Sequence, residues 1–344
     1  MASDMTAPRR GSSRSLLILT SACLLLEAGG FLLVRMGGEG SSARSLLVLA
    51  PAWLWLILPS VSLVAGVLGR RCWPAVVSAG VLVAAAVLMA GFELATGSPG
   101  PDATSANSVR IVTWNVHNER DHVAEIREKL LAMQPDVVCL QEALDSDAFG
   151  DLLPGWHQAK VYAVRILSRW PIAEGEWFGL RDEEYRQWPA CEVMTPSGPL
   201  VVLNVHFVQN LGGDSFERHD PDLARRLSRF AQLGANQIDV VLAALPPARP
   251  SVVAGDFNTP PRSAHYRALA RRMTDAFAAS EFGFGYTFLI GKLIPSWRID
   301  YVWCANGVRP VRSQVWGARP SDHRPLVVDV QMPERSVDGR RRGR

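Results

Sequence analysis

The stretch that most limits what this chain can fold into is Ser251-Val252-Val253-Ala254-Gly255-Asp256-Phe257-Asn258-Thr259-Pro260-Pro261. Val252 to Ala254 is a short apolar run of the kind that makes a buried strand. Gly255 ends it, and Asp256 and Asn258 stand two apart, so an extended backbone points both to one face. Thr259-Pro260-Pro261 then drives the chain out of any sheet. A carboxylate beside an amide at a strand's end can hold a water, a metal or a phosphoryl oxygen. The same residue types also make an ordinary turn.

The arrangement recurs. Ile111–Asn115 is a strand ending in an amide, and Asp136–Glu142 one ending in a carboxylate. Val201–His206 ends in an imidazole, Arg298–Val302 carries Asp300, and Ser321–Leu326 opens a last strand with Asp322-His323. Between them, Asp121–Met133 places Val123, Ile126, Leu130 and Met133 on one helical stripe. Tyr162–Ser168 and Ala190–Thr195 read as strands, Asp222–Leu245 and Ala264–Arg272 as helices. Leu211–Pro221 and residues 280–296 read as loops able to reach a substrate, Thr287 facing the site. Arg225, Arg226 and Arg229 begin the long helix, and Arg225 is the expected substrate-binding arginine.

In this order, the WN, QE, GDFN, IDYV and SDH segments resemble the endonuclease/exonuclease/phosphatase superfamily of magnesium-dependent phosphoesterases, over about Val109 to Val330. The resemblance implies an α/β fold, a four-layer sandwich of two mixed β-sheets flanked by helices. It also implies hydrolysis of a phosphate ester with Mg²⁺, Mn²⁺ being the alternative. Magnesium takes oxygen ligands and keeps several waters, so one or two carboxylates suffice. Glu142 is the expected principal ligand, with Asn115 beside it and Asp322 on the metal side. The resemblance pairs His323, as the base, with Asp300, which orients it. His206 is then the donor to a phosphoryl oxygen, and Asp256 and Asn258 position water and phosphate. His117, His122, His157, His219 and His265 are read as structural.

Hydropathy divides the chain. After a basic tail, 1–14, come three apolar stretches, at about 15–34, 45–68 and 72–95. Each is long enough to cross a bilayer, which takes about 20 helical residues. A signal peptide followed by core helices is the alternative. The expected architecture is therefore a three-helix transmembrane region, a linker at 96–107, a catalytic domain at 108–331 and a basic tail at 332–344. Arg9, Arg10, Arg14, Arg70 and Arg71 outweigh Arg35 and Arg44, which share their loop with Glu39. The positive-inside rule then puts the N-terminus in the cytoplasm and the domain outside, in a multi-pass protein of the cell membrane. Glu27 falls inside the first stretch and reads as facing a helix bundle.

Net charge is only +3, with no concentrated basic stripe to match a polyanion. Five cysteines make no disulfide framework and no zinc spacing, although Cys191 and Cys304 could pair. The chain also resembles three-span bacterial members of the superfamily, one associated with glycopeptide resistance. The expected partners are thus a lipid bilayer and a phosphorylated substrate, a lipid or cell-envelope intermediate; no stable protein partner is inferable. The competing readings are an extracytoplasmic nuclease and a non-catalytic membrane binding protein on the same fold.

Overall fold

A computed structural model describes residues 11–36, 42–68, 70, 72–94, 107–144, 147–173, 180–181, 187–208, 222–317 and 319–334. Most of the basic N-terminal tail, Glu39, Arg71, almost all of the linker, the 211–221 loop and the tail from 335 lie outside the described residues. The chain divides into Met1–Phe92 and Glu93–Arg344.

The first unit holds α1 (Gly11–Met36), α2 (Ser42–Leu49), α3 (Leu54–Leu68) and α4 (Cys72–Leu88). Three full-length spans were expected. Among the described residues one helix, over Arg14–Arg35, is long and apolar enough to cross a membrane; α3 and α4 have 15 and 17 residues. Pro51 divides the second stretch into α2 and α3, since proline disfavours helical backbone at the residue before it. The third ends at Leu88, and Gly91, at φ +73°, turns the chain away. This unit buries polar as well as apolar side chains. Thr20, Ser62 and Ser78 are buried and form a hydroxyl chain, with oxygens 3.1 and 2.7 Å apart. Leu25, Val67, Leu68, Trp73 and Val83 are exposed. Glu27 keeps its Oε2 buried without a hydrogen-bond partner.

The second unit opens with β1 (Glu93–Leu94), β2 (Ser108–Asn115), a 3₁₀ turn at Arg120–His122, α5 (Val123–Met133) and β3 (Val137–Gln141). It continues with α6 (Asp147–Gly150), β4 (His157–Val161), β5 (Val164–Ser168), β6 (Leu180–Arg181), β7 (Gln187–Trp188), β8 (Ala190–Thr195) and β9 (Gly198–His206). Then follow α7 (Leu223–Ala244), β10 (Ser251–Asp256), α8 (Ala264–Ala270), β11 (Thr274–Asp275), α9 (Ala276–Ser280) and β12 (Phe282–Gly283). The chain closes with β13 (Phe288–Ile290), β14 (Ile294–Trp297), β15 (Asp300–Ala305), β16 (Arg309–Val315) and β17 (Leu326–Gln331). The expected loop at 280–296 is in part the β13–β14 hairpin.

Two mixed sheets form the centre. One runs β16-β17-β2-β3-β5-β4 and the other β11-β15-β10-β9-β8. β2 and β3 are parallel, as are β9 and β10, so each sheet carries two carboxyl ends at one edge. Alternation assigns the faces. Ile111 and Val109 of β2 pack between the sheets with Val202, Val252 and Val302, whereas Val112 and Trp114 pack outward with Ile126 and Leu130 of α5. Val253 and Trp303 face outward on the other sheet, with Ile238 and Val241 of α7 and Leu269 of α8. Because both faces of each sheet are covered, the central strands are buried along nearly their whole length. Cys139, Cys191 and Cys304 lie in the central layer as thiols; no Cys191–Cys304 bond is present.

The second unit begins at Glu93. β1 pairs with β12, and Glu93 reaches the guanidinium of Arg298, which is buried and also pairs with Asp275. Asp275 in addition caps α9 by accepting from Phe277 and Ala278 N–H and receives the Tyr266 hydroxyl. Burying a cation demands compensating charge. Asp275→Asn should therefore cost about 3–5 kcal/mol of unfolding free energy. Glu93→Gln, at a half-buried carboxylate, should cost about 1–3 kcal/mol. Denaturant unfolding followed by tryptophan fluorescence checks this order.

Candidate active site

Strand register brings the polar groups together. Asp256 lies opposite His206 on β9 and opposite Asp300 on β15, so three side chains share one row of the second sheet. In the first sheet Asn115 lies opposite Gln141, with Glu142 next in the chain. His323 precedes β17, whose Leu326 pairs with Thr113 near the same end of β2. Both sheets thus deliver their groups to one edge.

Gly255 has no substitute in this register. Its φ is +142°, and a Cβ there would lie 2.0 Å from the Val205 carbonyl oxygen. Phe257 then points into the outer core, against Phe207 and Tyr301, and fixes the strand end that carries Asp256. The backbone does not stay extended to Asn258, as the sequence led us to expect. Asn258 turns left-handed, φ +47°, donates its N–H to Asp256 Oδ1 at 2.9 Å and its side-chain amide to the Phe207 carbonyl at 3.0 Å.

The Asn115 amide links the two sheets' carboxylates. Its Nδ2 donates to Glu142 Oε1 at 2.8 Å and to Asp256 Oδ2 at 3.1 Å, and its Oδ1 accepts the His117 N–H. Asn115, expected among the metal ligands, therefore stands behind Glu142 as the group that aims it. Below them Gln141 donates to Asn204 Oδ1 at 2.6 Å and to Thr113 Oγ1 at 3.1 Å; all three are buried. Neither Gln141 nor Asn204 was singled out from the sequence, though each is a polar residue in an apolar strand.

His323 Nδ1 is 2.9 Å from Asp300 Oδ2, and its Nε2 is 3.7 Å from Asp256 Oδ2. The ring packs edge-on to Phe288, and its backbone is held by Ser321 and Trp114. Burial alone would lower the ring's pKa, but Asp300 and Asp256 raise it to about 10. For Asp256, burial and then the charge of Asp300 raise the pKa to about 7, against the opposing pull of His323. Burial also acts to raise Glu142, but His206 and the Asn115 amide hold it below the usual carboxylate range.

Thr287 does not face the open side. It is fully buried, and its hydroxyl accepts the N–H groups of Ile299 and Asp300, each at 3.1 Å, so it props the Asp300 backbone. Arg225 is 72% exposed at the start of α7 and pairs with Asp222. His117, read as structural from sequence, lies at the site: its Nδ1 is 3.6 Å from Glu142 Oε2 and 3.5 Å from Asp322 Oδ1. The signal for it was its position two residues after Asn115. His206 Nε2 is 3.6 Å from Glu142 Oε1 and 3.8 Å from Asp256 Oδ2.

Two groups of donors suit a cation. Asp256, Asp300 and His323 offer ligand atoms within 4.8 Å of one another, but all are buried and the ring is already engaged by Asp300. Glu142 is 34% exposed and borders a cavity of about 630 Å³ lined also by His206, Leu144, Tyr162 and Trp188. With Asp322 nearby, this oxygen-rich, open position fits a hard divalent ion.

The profile of the Endonuclease/Exonuclease/phosphatase family matches residues 112–323. Among solved structures, the 3'-5' exonuclease NExo of Neisseria meningitidis is 21% identical with a TM-score of 0.50, over 65% of this chain and all of that one. A humanized TDP2 of D. rerio carrying 14 mutations is 17% identical with a TM-score of 0.50, over 66% of this chain and all of that one. These likenesses concern the fold. No curated protein matches the chain. With the family profile spanning most of the chain and its strand ends meeting at one edge, this protein belongs to the endonuclease/exonuclease/phosphatase family.

Proposed function

We propose that the chain is a membrane-anchored, metal-dependent phosphoesterase that hydrolyses a phosphorylated lipid or cell-envelope intermediate at the outer face of the membrane. The observation that carries the hydrolase reading is the meeting of Asn115, Glu142, His206, Asp256, Asp300 and His323 at one edge of two sheets, beside a cavity of about 630 Å³. A bound Mg²⁺ or Mn²⁺ would neutralise charge on the phosphoryl oxygens. Glu142 and Asp322 would hold it, with Asn115 orienting Glu142.

We assign the proton roles differently from the expectation set by the sequence. A ring raised to about 10 keeps its proton at neutrality, so His323 acts as a charged donor to a phosphoryl oxygen. Asp300 and Thr287 hold it there. Asp256, raised to about 7, takes the proton of the attacking water, since a base works best near the ambient pH. Asn258 fixes the Asp256 carboxylate through its N–H. His206 adds a second donor.

The first unit supports the membrane anchor. Without a hydrophobic drive between helices, bundles in lipid associate through small and hydroxyl residues and leave apolar side chains outside. Thr20, Ser62 and Ser78 inside, with Leu25, Val67 and Val83 outside, follow that pattern. The arginine bias supports an inside N-terminus and, with an odd number of crossings, a catalytic unit outside.

The full chain in detergent should hydrolyse a lipid phosphate, and excess EDTA or Glu142→Gln should abolish turnover. Cleavage of DNA without attack on lipid phosphates would replace the substrate reading by a nuclease. His323→Ala should lose about 10²–10⁴-fold in kcat. With Asp256 as base, kcat/KM should rise through about pH 7 and fall toward about pH 10. A rate still climbing toward pH 10 would return the base to His323. Asp300→Asn should move the falling limb to lower pH, because one charge that lifts the ring is gone.

A second measurement addresses topology. A reporter joined after Val330 should work only if it is one that matures outside the cytoplasm. A cytoplasmic signal there would remove both the outward-facing site and the envelope substrate.

A further inference from the structure

We infer that His117 is a ligand of the ion that Glu142 and Asp322 hold, and that its imidazole turns the site's preference from magnesium toward manganese. The inference rests on the metal reading of the preceding section and adds to it a ligand and an ion selectivity.

The argument begins with distances. His117 Nδ1 lies 3.6 Å from Glu142 Oε2 and 3.5 Å from Asp322 Oδ1. Both exceed a normal N–H···O hydrogen bond, which spans about 2.7–3.2 Å. They are near the separation of neighbouring ligand atoms around one ion, which at metal–ligand bonds of about 2.1 Å is roughly 3.0–3.5 Å. Each group is also held from behind. Asn115 Nδ2 takes Glu142 Oε1 and leaves Oε2 toward His117. Asn115 Oδ1 holds the His117 N–H. Leu289 N–H holds the Asp322 carbonyl.

The backbone is bent to the same end. His117, Asn118 and Glu142 are all left-handed, at φ +46°, +51° and +54°. The Asn118 N–H donates to the Glu142 carbonyl at 3.1 Å, which locks the two loops together. Left-handed non-glycine residues are uncommon, and three in contact with each other aim two side chains at one point. The His117 ring is 52% exposed, so the position is open to an ion and to a phosphoryl group.

Ligand chemistry gives the selectivity. Magnesium prefers oxygen and water, whereas imidazole favours ions further along the first transition row. A set of two carboxylates and one imidazole therefore gains more from Mn²⁺ than from Mg²⁺.

The test uses the full chain in detergent and Mn²⁺ as the probe. Mn²⁺ binding is followed by electron paramagnetic resonance, with Mg²⁺ measured by competition. The wild-type complex should give nitrogen coupling to the ion. His117→Ala should lose that coupling and weaken Mn²⁺ binding by about tenfold or more, with Mg²⁺ affinity nearly unchanged. His117→Asp should restore tight binding without nitrogen coupling and favour Mg²⁺. If Glu142→Gln abolishes binding but His117→Ala keeps both affinity and nitrogen coupling, the ligand is another ring, His206 first, and this inference alone fails. A wild-type protein that binds no Mn²⁺ overturns the metal reading and this inference with it.

Discussion

Everything at the site depends on the two sheets keeping one register across an apolar layer, and the side chain that fixes it is Gln141. Its amide donates to Asn204 across the layer, while Asn204 donates to the Leu140 and Arg165 carbonyls of the facing sheet. An apolar interface between sheets tolerates sliding, because its attraction has no direction. A buried amide pair does not, because misplacement leaves polar atoms unpaired at about 1–3 kcal/mol each. Opposite Gln141 in the ladder, Asn115 spans the same gap to reach carboxylates from both sheets. The chemistry is thus assembled from halves that share no strand.

The second constraint is strain. His117, Asn118, Glu142 and Asn258 all have positive φ, and Gly255 occupies a position that rejects any Cβ. Such conformations cost on the order of 1–3 kcal/mol each and persist where surroundings over-determine them. Here the surroundings are Trp114, Phe257, Tyr301 and Trp303, buried beside or beneath the strand ends. The large aromatic core and the strained polar edge are therefore parts of one arrangement.

Much of this was legible in the sequence, for a physical reason. A carboxylate or imidazole that ends an apolar strand must sit at a sheet edge, so the segments ending at Asn115, Glu142, His206 and Asp256 announced themselves. Asp300 and His323 announced themselves by opening strands. What escaped was conformation that breaks periodicity. Asn258 leaves the extended alternation, and His117 reaches the site through a left-handed bend. Thr287 lies in a hairpin that turns its hydroxyl inward. In the first unit, hydropathy alone gave three long stretches, while Pro51 and Gly91 cut two of them short. The upward shift of the His323 ring was hidden as well, since it depends on Asp300 and Asp256 arriving from separate strands.

The attachment at Glu93 bears on what a protease could release. Glu93 and Leu94 are joined through the peptide chain to Phe92, yet they lie in the catalytic unit, laddered to Phe282 and Gly283 and paired with buried Arg298. A nick anywhere from residue 95 to 106 would cut the covalent tether without freeing the enzyme. The severed catalytic chain would remain clasped to Glu93 and Leu94 by a two-residue strand pairing and an ion pair. Release would then need two stages, cleavage and dissociation of the β1 segment. The product of the second stage would lack the carboxylate that faces Arg298, two residues from Asp300, so the released unit would leave with a weakened support beneath its own active site.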